Sequence, residues 1–353
     1  MRRCALGTIT LLTACGDNLP PAVTIDSAGA AWIASRGAPD QPWVRHEGAG
    51  ARFDVDPTGQ PYDVVVVCRA DVGDGWALTA TYEDGLAWSR PCATPTPTPV
   101  MVGFDLTSAA DEVRIRDRVG LAPATDLLSV PLGESDVVAA TRSAGRVTRL
   151  QIQRGLAFTA DRRVALDVAG RGVAPVPVDV TLGGAAPTTA TVRLLTAGGT
   201  TIPLSTTAAY VLPTELVYPG DIQSVEVTRG DAWARAAIAE TPLDLPDPGP
   251  SPRIVFTDAG SPAWAWRHVD GFRATLNVTA GTGAPRWTLY AYPTALAARA
   301  VGGIVTQPMA APAVTGWEAG WWPTAPYDWS ARLTRDRDGG SEGFYRAETI
   351  AAP

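Results

Sequence analysis

Apolar and polar positions alternate with a period of two along most of this chain. Trp76, Leu78, Ala80 and Tyr82 would share one face, as would Val100, Val102, Phe104 and Leu106. Val176, Val178, Val180 and Leu182 repeat the spacing, and so do Phe272, Ala274, Leu276 and Val278. Residues two apart face the same side only in an extended strand, so each run predicts a strand with one buried face. Val64 to Cys68 is apolar throughout, which predicts a strand buried on both faces. Asp74-Gly75, Asp84-Gly85, Asp270-Gly271 and Asp338-Gly339 punctuate the runs as hairpin-type turns. Helical spacing is scarce; Thr294 to Val301, just before Gly302-Gly303, is the segment that fits a short helix.

Composition sharpens this to an all-β protein. The 35 Gly and 31 Pro among 353 residues punctuate the chain too often for a helical fold. Short strands with turns every dozen residues predict β-sandwich modules, immunoglobulin-like or prealbumin-like, two or three in tandem. Two Pro-rich stretches break the chain. Thr94 to Pro99 alternates Thr with Pro and reads as an extended spacer, and Thr241 to Pro252 is the stronger boundary. The expected modules are therefore 25–93, 100–241 and 252–353.

Charge excludes one class of partner. The formal net charge is −7, and an acidic surface repels polyanions, so no nucleic acid is expected. All 29 basic residues are Arg. Arg, Ala, Gly and Pro are abundant together, as GC-rich coding would produce, so the bias carries no functional message. No apolar run approaches the roughly 18 residues of a membrane-spanning helix.

The N-terminus carries the most specific pattern. Arg2 and Arg3 precede an apolar stretch from Cys4 to Leu12, the layout of an export signal. Leu12-Thr13-Ala14-Cys15 then resembles the lipobox of bacterial lipoproteins. The resemblance implies cleavage after residue 14 and a diacylglycerol on the Cys15 sulfur. It also implies a tether over 15–24 and a bilayer as partner. Gly16, rather than Asp, follows the Cys, which in that family implies the outer membrane, its face left open. Each buried acyl methylene contributes about 0.8 kcal/mol, so two or three chains hold a folded body at a membrane. With Cys4 and Cys15 assigned, Cys68 and Cys92 remain, and outside the cytoplasm such a pair is expected as a disulfide.

Leu127 to Arg142 resembles the strand-turn-strand of carboxypeptidase-regulatory-like domains, small extracellular prealbumin-type sandwiches. The body as a whole resembles uncharacterised secreted β-proteins of Gram-negative bacteria. That resemblance rests on the Val64–Cys68 strand, this turn and the Trp-rich tail, and it implies no activity.

Catalytic patterns are sparse. With two histidines in the sequence, a Ser-His-Asp or Cys-His site must use His46 or His268. Each is more often an ordinary surface or packed residue than a catalytic one. Gly339-Gly340-Ser341-Glu342-Gly343 matches Gly-x-Ser-x-Gly, but the charged run Arg335 to Asp338 precedes it where a nucleophile elbow needs a buried strand. A polar hairpin loop explains it better. Asp336, Asp338 and Glu342 offer oxygen ligands without the spacing of a calcium loop. Phosphate loops, zinc-protease motifs and dinucleotide fingerprints are absent, so no cofactor and no metal are expected.

Seven of the 12 Trp fall in the last hundred residues: Trp264, Trp266, Trp287, Trp317, Trp321, Trp322 and Trp329. Trp287 and Trp329 alternate with apolar neighbours and are expected in a core. Trp317, Trp321 and Trp322 lie among Gly316, Gly320 and Pro323 without such partners. Two readings stand for these three: core aromatics of a small sandwich, or an exposed platform for a sugar ring or a partner protein. The expectation is an envelope-anchored structural or binding protein, not an enzyme. A carbohydrate- or protein-binding module on Trp317, Trp321 and Trp322 is the alternative, and a hydrolase comes third.

Overall fold

The structure is a computed structural model that describes residues 20–92, 99–121, 127–238, 242–257, 263–279, 285–308, 311–323, 327–338 and 340–350. The lipobox with Cys15, most of the Thr-Pro spacer and Gly339 lie outside the described residues. The fold is all-β. Strands hold 56% of the residues and helices 6%, so strand pairing sets the architecture. Sixteen strands form one continuous ladder, from Arg118–Leu121 at one edge to Val44–His46 at the other, and shorter sheets lie against it.

Strands with two buried faces weld the molecule together. In Tyr62–Arg69, Val64 and Val66 enter one core while Val65 and Val67 enter another. The same division recurs in Gly133–Ser143, where Val137 and Ala139 face one core and Val138 and Ala140 the next. A strand apolar at every position has no side to give to water, so a layer must cover each face. Around the second strand the layers are those of a sandwich: Leu127–Val130, Val100–Leu106 and Arg162–Leu166 form a three-stranded sheet over the main ladder. The segment Leu127 to Arg142 spans this junction. Its first strand pairs with Val100–Leu106 and its second with Arg146–Phe158, so the turn carries the chain from one layer to the other.

The expected first and last modules share a core. Asp74–Ala80 pairs in parallel with Arg286–Ala291, from Gly75 opposite Trp287 to Thr79 opposite Ala291. Trp32, Ala34, Val65 and Val67 pack with Trp264, Leu276, Trp287 and Val305 in a single cluster. The cuts proposed from Pro-rich segments therefore fall between stretches that fold against each other. Such punctuation marks where a chain leaves a sheet, and says nothing about where it returns. The middle stretch joins through Ala232–Ala237, paired with Gly340–Ile350.

Asp74-Gly75 is not the turn that its sequence suggests. The turn precedes it, and Gly75 already lies in the strand. A Cβ there would sit 2.8 Å from the Trp287 ring and 2.2 Å from the Val66 carbonyl oxygen. Glycine is required because an indole lies across the strand.

Cys68 and Cys92 are joined by a disulfide with Cα atoms 5.1 Å apart. It ties the end of the doubly buried strand to the segment after Ala87–Ser89. Closing a loop of this length restricts the unfolded chain by about 3.5 kcal/mol in the chain-entropy treatment. Reduction is expected to lower the urea midpoint accordingly, with the Cys68→Ala/Cys92→Ala variant matching reduced wild type. An unchanged midpoint would show the unfolded chain to be compact already.

Candidate functional site

The helix expected near residue 294 forms over Pro293–Arg299. Its cap comes from far away in sequence: the Asp84 carboxylate accepts the backbone N–H groups of Thr294 and Ala295 at 3.0 and 3.1 Å. Ala295 and Leu296 are buried, and Arg299 at the last turn is aimed at the doubly buried strand. There its Nη2 donates to Oδ1 of Asp63 at 2.7 Å, while Nη1 donates to Gln307 Oε1 at 3.2 Å. Arg36, on the neighbouring strand Trp32–Arg36, donates to Asp63 Oδ2 from Nε at 2.8 Å and from Nη2 at 2.6 Å. Thr79 Oγ1 donates to Oδ1 at 2.7 Å.

These groups line a cleft of about 400 Å³, with Trp43 and Trp322 among its walls. The Arg36 guanidinium carbon lies 4.9 Å from the centre of the Trp43 ring. Asp63 accepts four hydrogen bonds, which fills the acceptor sites of its carboxylate. It is thus fully occupied as an acceptor. Two guanidinium groups share this one carboxylate, so the network keeps an excess positive charge. Gln307 adds a planar amide, and the Trp322 indole N–H is buried with no partner among the described residues. The chemistry on offer is binding: ring faces, planar donors and a net cation in a concave site.

The three loop tryptophans do not present a common exposed face. Trp321 is 7% exposed and belongs to the core shared by the first and last stretches. Its ring meets Trp32 edge-on at 5.8 Å, and its backbone carbonyl accepts the Trp287 Nε1–H at 2.7 Å. Trp317 and Trp322 are half-buried against the same cluster, with Trp322 4.4 Å from Trp287. Of the three, only Trp322 lines the cleft. Trp287 and Trp329, at 1% and 3% exposure, sit in the core as their alternation requires.

His46 and Ser35 are brought together on the edge hairpin, with Ser35 Oγ 2.7 Å from His46 Nε2. The pair has the look of a catalytic dyad, but Ser35 is 1% exposed, so no carbonyl carbon can approach its hydroxyl. Burial lowers the His46 pKa below its ordinary 6.5. A depressed histidine binds protons more readily in the unfolded chain, so its contribution to stability is complete above pH 6.5 and is lost as the pH falls below that value. Wild type is expected to lose more stability than His46→Gln between pH 7.5 and 5.5 in urea unfolding. Equal losses would mean that His46 titrates alike in both states.

His268 lies 3.4 Å from the exposed Asp270 and donates its backbone N–H to Gly303. Ser341 stands in the hairpin Tyr327–Arg337 and Gly340–Ile350, opposite Asp336, with no helix following. Among the acidic groups there, Glu342 is fully buried on Arg335 and Arg337, and Asp336 pairs with Arg273. Arginine therefore already occupies two of the carboxylates that a calcium ion would need.

The cleft residues Arg36, Asp63, Arg299 and Gln307 were not singled out in the sequence. One signal was present: Asp63 is a charged residue adjoining the fully apolar Val64–Val67, a position where a carboxylate must find a cation. Its partners are 27 and 236 residues away, beyond any spacing rule. No known family model matches the chain, and no curated protein is significantly similar to it.

Proposed function

We propose that this chain is a binding protein of the bacterial outer membrane, anchored by lipid on Cys15 and taking a carbohydrate-like ligand in the Asp63 cleft. The observation that carries the ligand reading is the wall composition. Trp43 and Trp322 supply flat apolar faces, and Arg36, Arg299 and Gln307 supply planar donors in a concavity of about 400 Å³. Sugar rings present apolar C–H faces and an equatorial belt of hydroxyls, and this set of side chains suits both. The excess guanidinium favours a saccharide carrying a carboxylate. The anchor reading is supported by the order of Arg2-Arg3, the apolar stretch and Leu12-Thr13-Ala14-Cys15.

Two measurements test the two halves separately. Intact mass of the membrane fraction should show loss of residues 1–14 and a lipid adduct that is absent from Cys15→Ala. A soluble, unmodified wild-type chain would end the anchor reading. For the cleft, calorimetric titration of the unlipidated Cys15→Ala chain would use maltohexaose, chitohexaose and hexagalacturonate as probes. The acidic oligosaccharide should bind most tightly, and Trp43→Ala and Arg36→Gln should each weaken it tenfold or more. If none of the three binds, or if binding survives both substitutions, the cleft is not a saccharide site.

A further inference from the structure

A second cavity, on the opposite side of strand Arg286–Ala291, holds a cation with no counter-ion among the described residues. Arg90 follows strand Ala87–Ser89, and its backbone is fixed from both sides. Its N–H donates to the Asp26 carbonyl at 2.9 Å, and its own carbonyl accepts the Ser27 hydroxyl at 2.9 Å. The disulfide at Cys92 lies two residues on. From this rigid base the side chain reaches over strand Arg286–Ala291. Its guanidinium carbon stands 3.7 Å from the centre of the Tyr290 ring, and Nη2 donates to the Tyr292 hydroxyl at 2.9 Å.

That single side-chain hydrogen bond leaves most of the guanidinium unused. Its Nε–H is buried with no partner, and among the described residues Arg90 makes no ion pair. The adjoining segment Ala93 to Thr98 contains no acidic residue to supply one. By contrast, Arg273 at the same cavity holds Asp336 through both terminal nitrogens, at 2.6 and 3.2 Å. A half-buried guanidinium with a buried, unpartnered Nε–H and no anion is left partly uncompensated, so one beside a cavity is positioned for a ligand.

The cavity measures about 320 Å³ and is lined by Arg90, Arg273, Thr275, Tyr290 and Tyr292. A bare inorganic oxyanion would leave most of that volume empty. The Tyr292 hydroxyl accepts from Arg90 and so keeps its own proton to donate, and the Thr275 hydroxyl is a further donor. We infer that this cavity is a site for a small organic carboxylate, its carboxylate held by the Arg90 guanidinium and the Tyr292 hydroxyl, its body against the Tyr290 and Tyr292 rings. It is separate from the Asp63 cleft, with which it shares no lining residue.

The Trp88 ring lies 4.4 Å from the Tyr292 ring and provides an optical reporter. Fluorescence and calorimetric titrations of the full chain would use benzoate, its neutral isostere benzamide and inorganic phosphate. Benzoate is expected to bind saturably, at least tenfold more tightly than either of the others. Arg90→Gln should abolish this preference for benzoate over benzamide, and Arg90→Lys should weaken benzoate while keeping part of it, because it retains the charge and loses the planar fork. Melting curves for both variants, together with Tyr290→Phe as a control that keeps the ring, separate a lost site from a lost fold. Equal binding of benzoate and benzamide, phosphate binding as tight as benzoate, or benzoate binding unchanged in folded Arg90→Gln would each overturn the assignment.

Discussion

Trp287→Ala is expected to lose about 3–5 kcal/mol of stability, the range for removing a large buried aromatic. The indole is 1% exposed, lies across Gly75 and donates Nε1–H to the Trp321 carbonyl oxygen. Its loss opens a cavity where the first and last stretches meet and leaves that carbonyl without its donor. Trp321→Ala should fall in the same range, since its ring is buried between Trp32 and Trp317. Trp321→Phe should cost less than half as much. The Trp321 indole N–H is buried without a partner among the described residues, so phenylalanine removes an unsatisfied donor while keeping most of the apolar area. Trp322→Ala, half-buried at the cleft, should cost clearly less than Trp287→Ala. Urea unfolding of the four variants gives the order directly. If Trp322→Ala proves as damaging as Trp287→Ala, Trp322 is a structural member of the core and the cleft loses one of its two aromatic walls.

Periodicity made local structure legible wherever the chain ran as long strands. Phe272, Ala274, Leu276 and Val278 are all buried, and Val64 to Val67 feed two cores as their unbroken apolarity required. It misled where the backbone could not continue the ladder. Val176 to Leu182 alternates in sequence, yet Val176 is 41% exposed and the segment splits into Val176–Pro177 and Val180–Leu182, which pair with different strands. Proline offers no N–H to a neighbour, so Pro177 ends the first pairing. Tyr82 continues the Trp76 alternation on paper, but the strand stops at Ala80 and the ring is 41% exposed.

The functional residues were harder to see because their meaning is relational. Asp63 takes its two cations from Arg36 and Arg299, and Arg90 meets Tyr290 and Tyr292 some 200 residues away. Turn chemistry and strand spacing describe neighbours in sequence. They do not describe the parallel pairing of Asp74–Ala80 with Arg286–Ala291, two strands that both contribute walls to the Asp63 cleft. The Cys pair was readable for the opposite reason: once Cys4 and Cys15 are set aside as the expected signal and anchor, one pairing is left, whatever the fold.

Asp63→Ala is the substitution expected to damage the cleft and the fold together. The carboxylate side chain is 8% exposed, and Arg36 and Arg299 are 25% and 15% exposed. Removing it strands two guanidinium groups in a partly desolvated site, and breaking a buried pair from one side costs about 3–5 kcal/mol. The partial exposure of the arginines lets water relieve some of this, which places the expectation at the lower end. Arg299 is the test of direction. In wild type it fastens the helix Pro293–Arg299 to strand Tyr62–Arg69, joining parts of the chain 236 residues apart. Asp63→Ala should therefore raise hydrogen exchange in that helix more than in the Asp136–Arg154–Asp221 network of the middle stretch, which shares none of these partners. Adding Arg299→Met to Asp63→Ala should recover stability, because it removes one of the unpaired cations. A double variant no more stable than Asp63→Ala alone would mean that the lost hydrogen bonds, and not the uncompensated charge, set the cost.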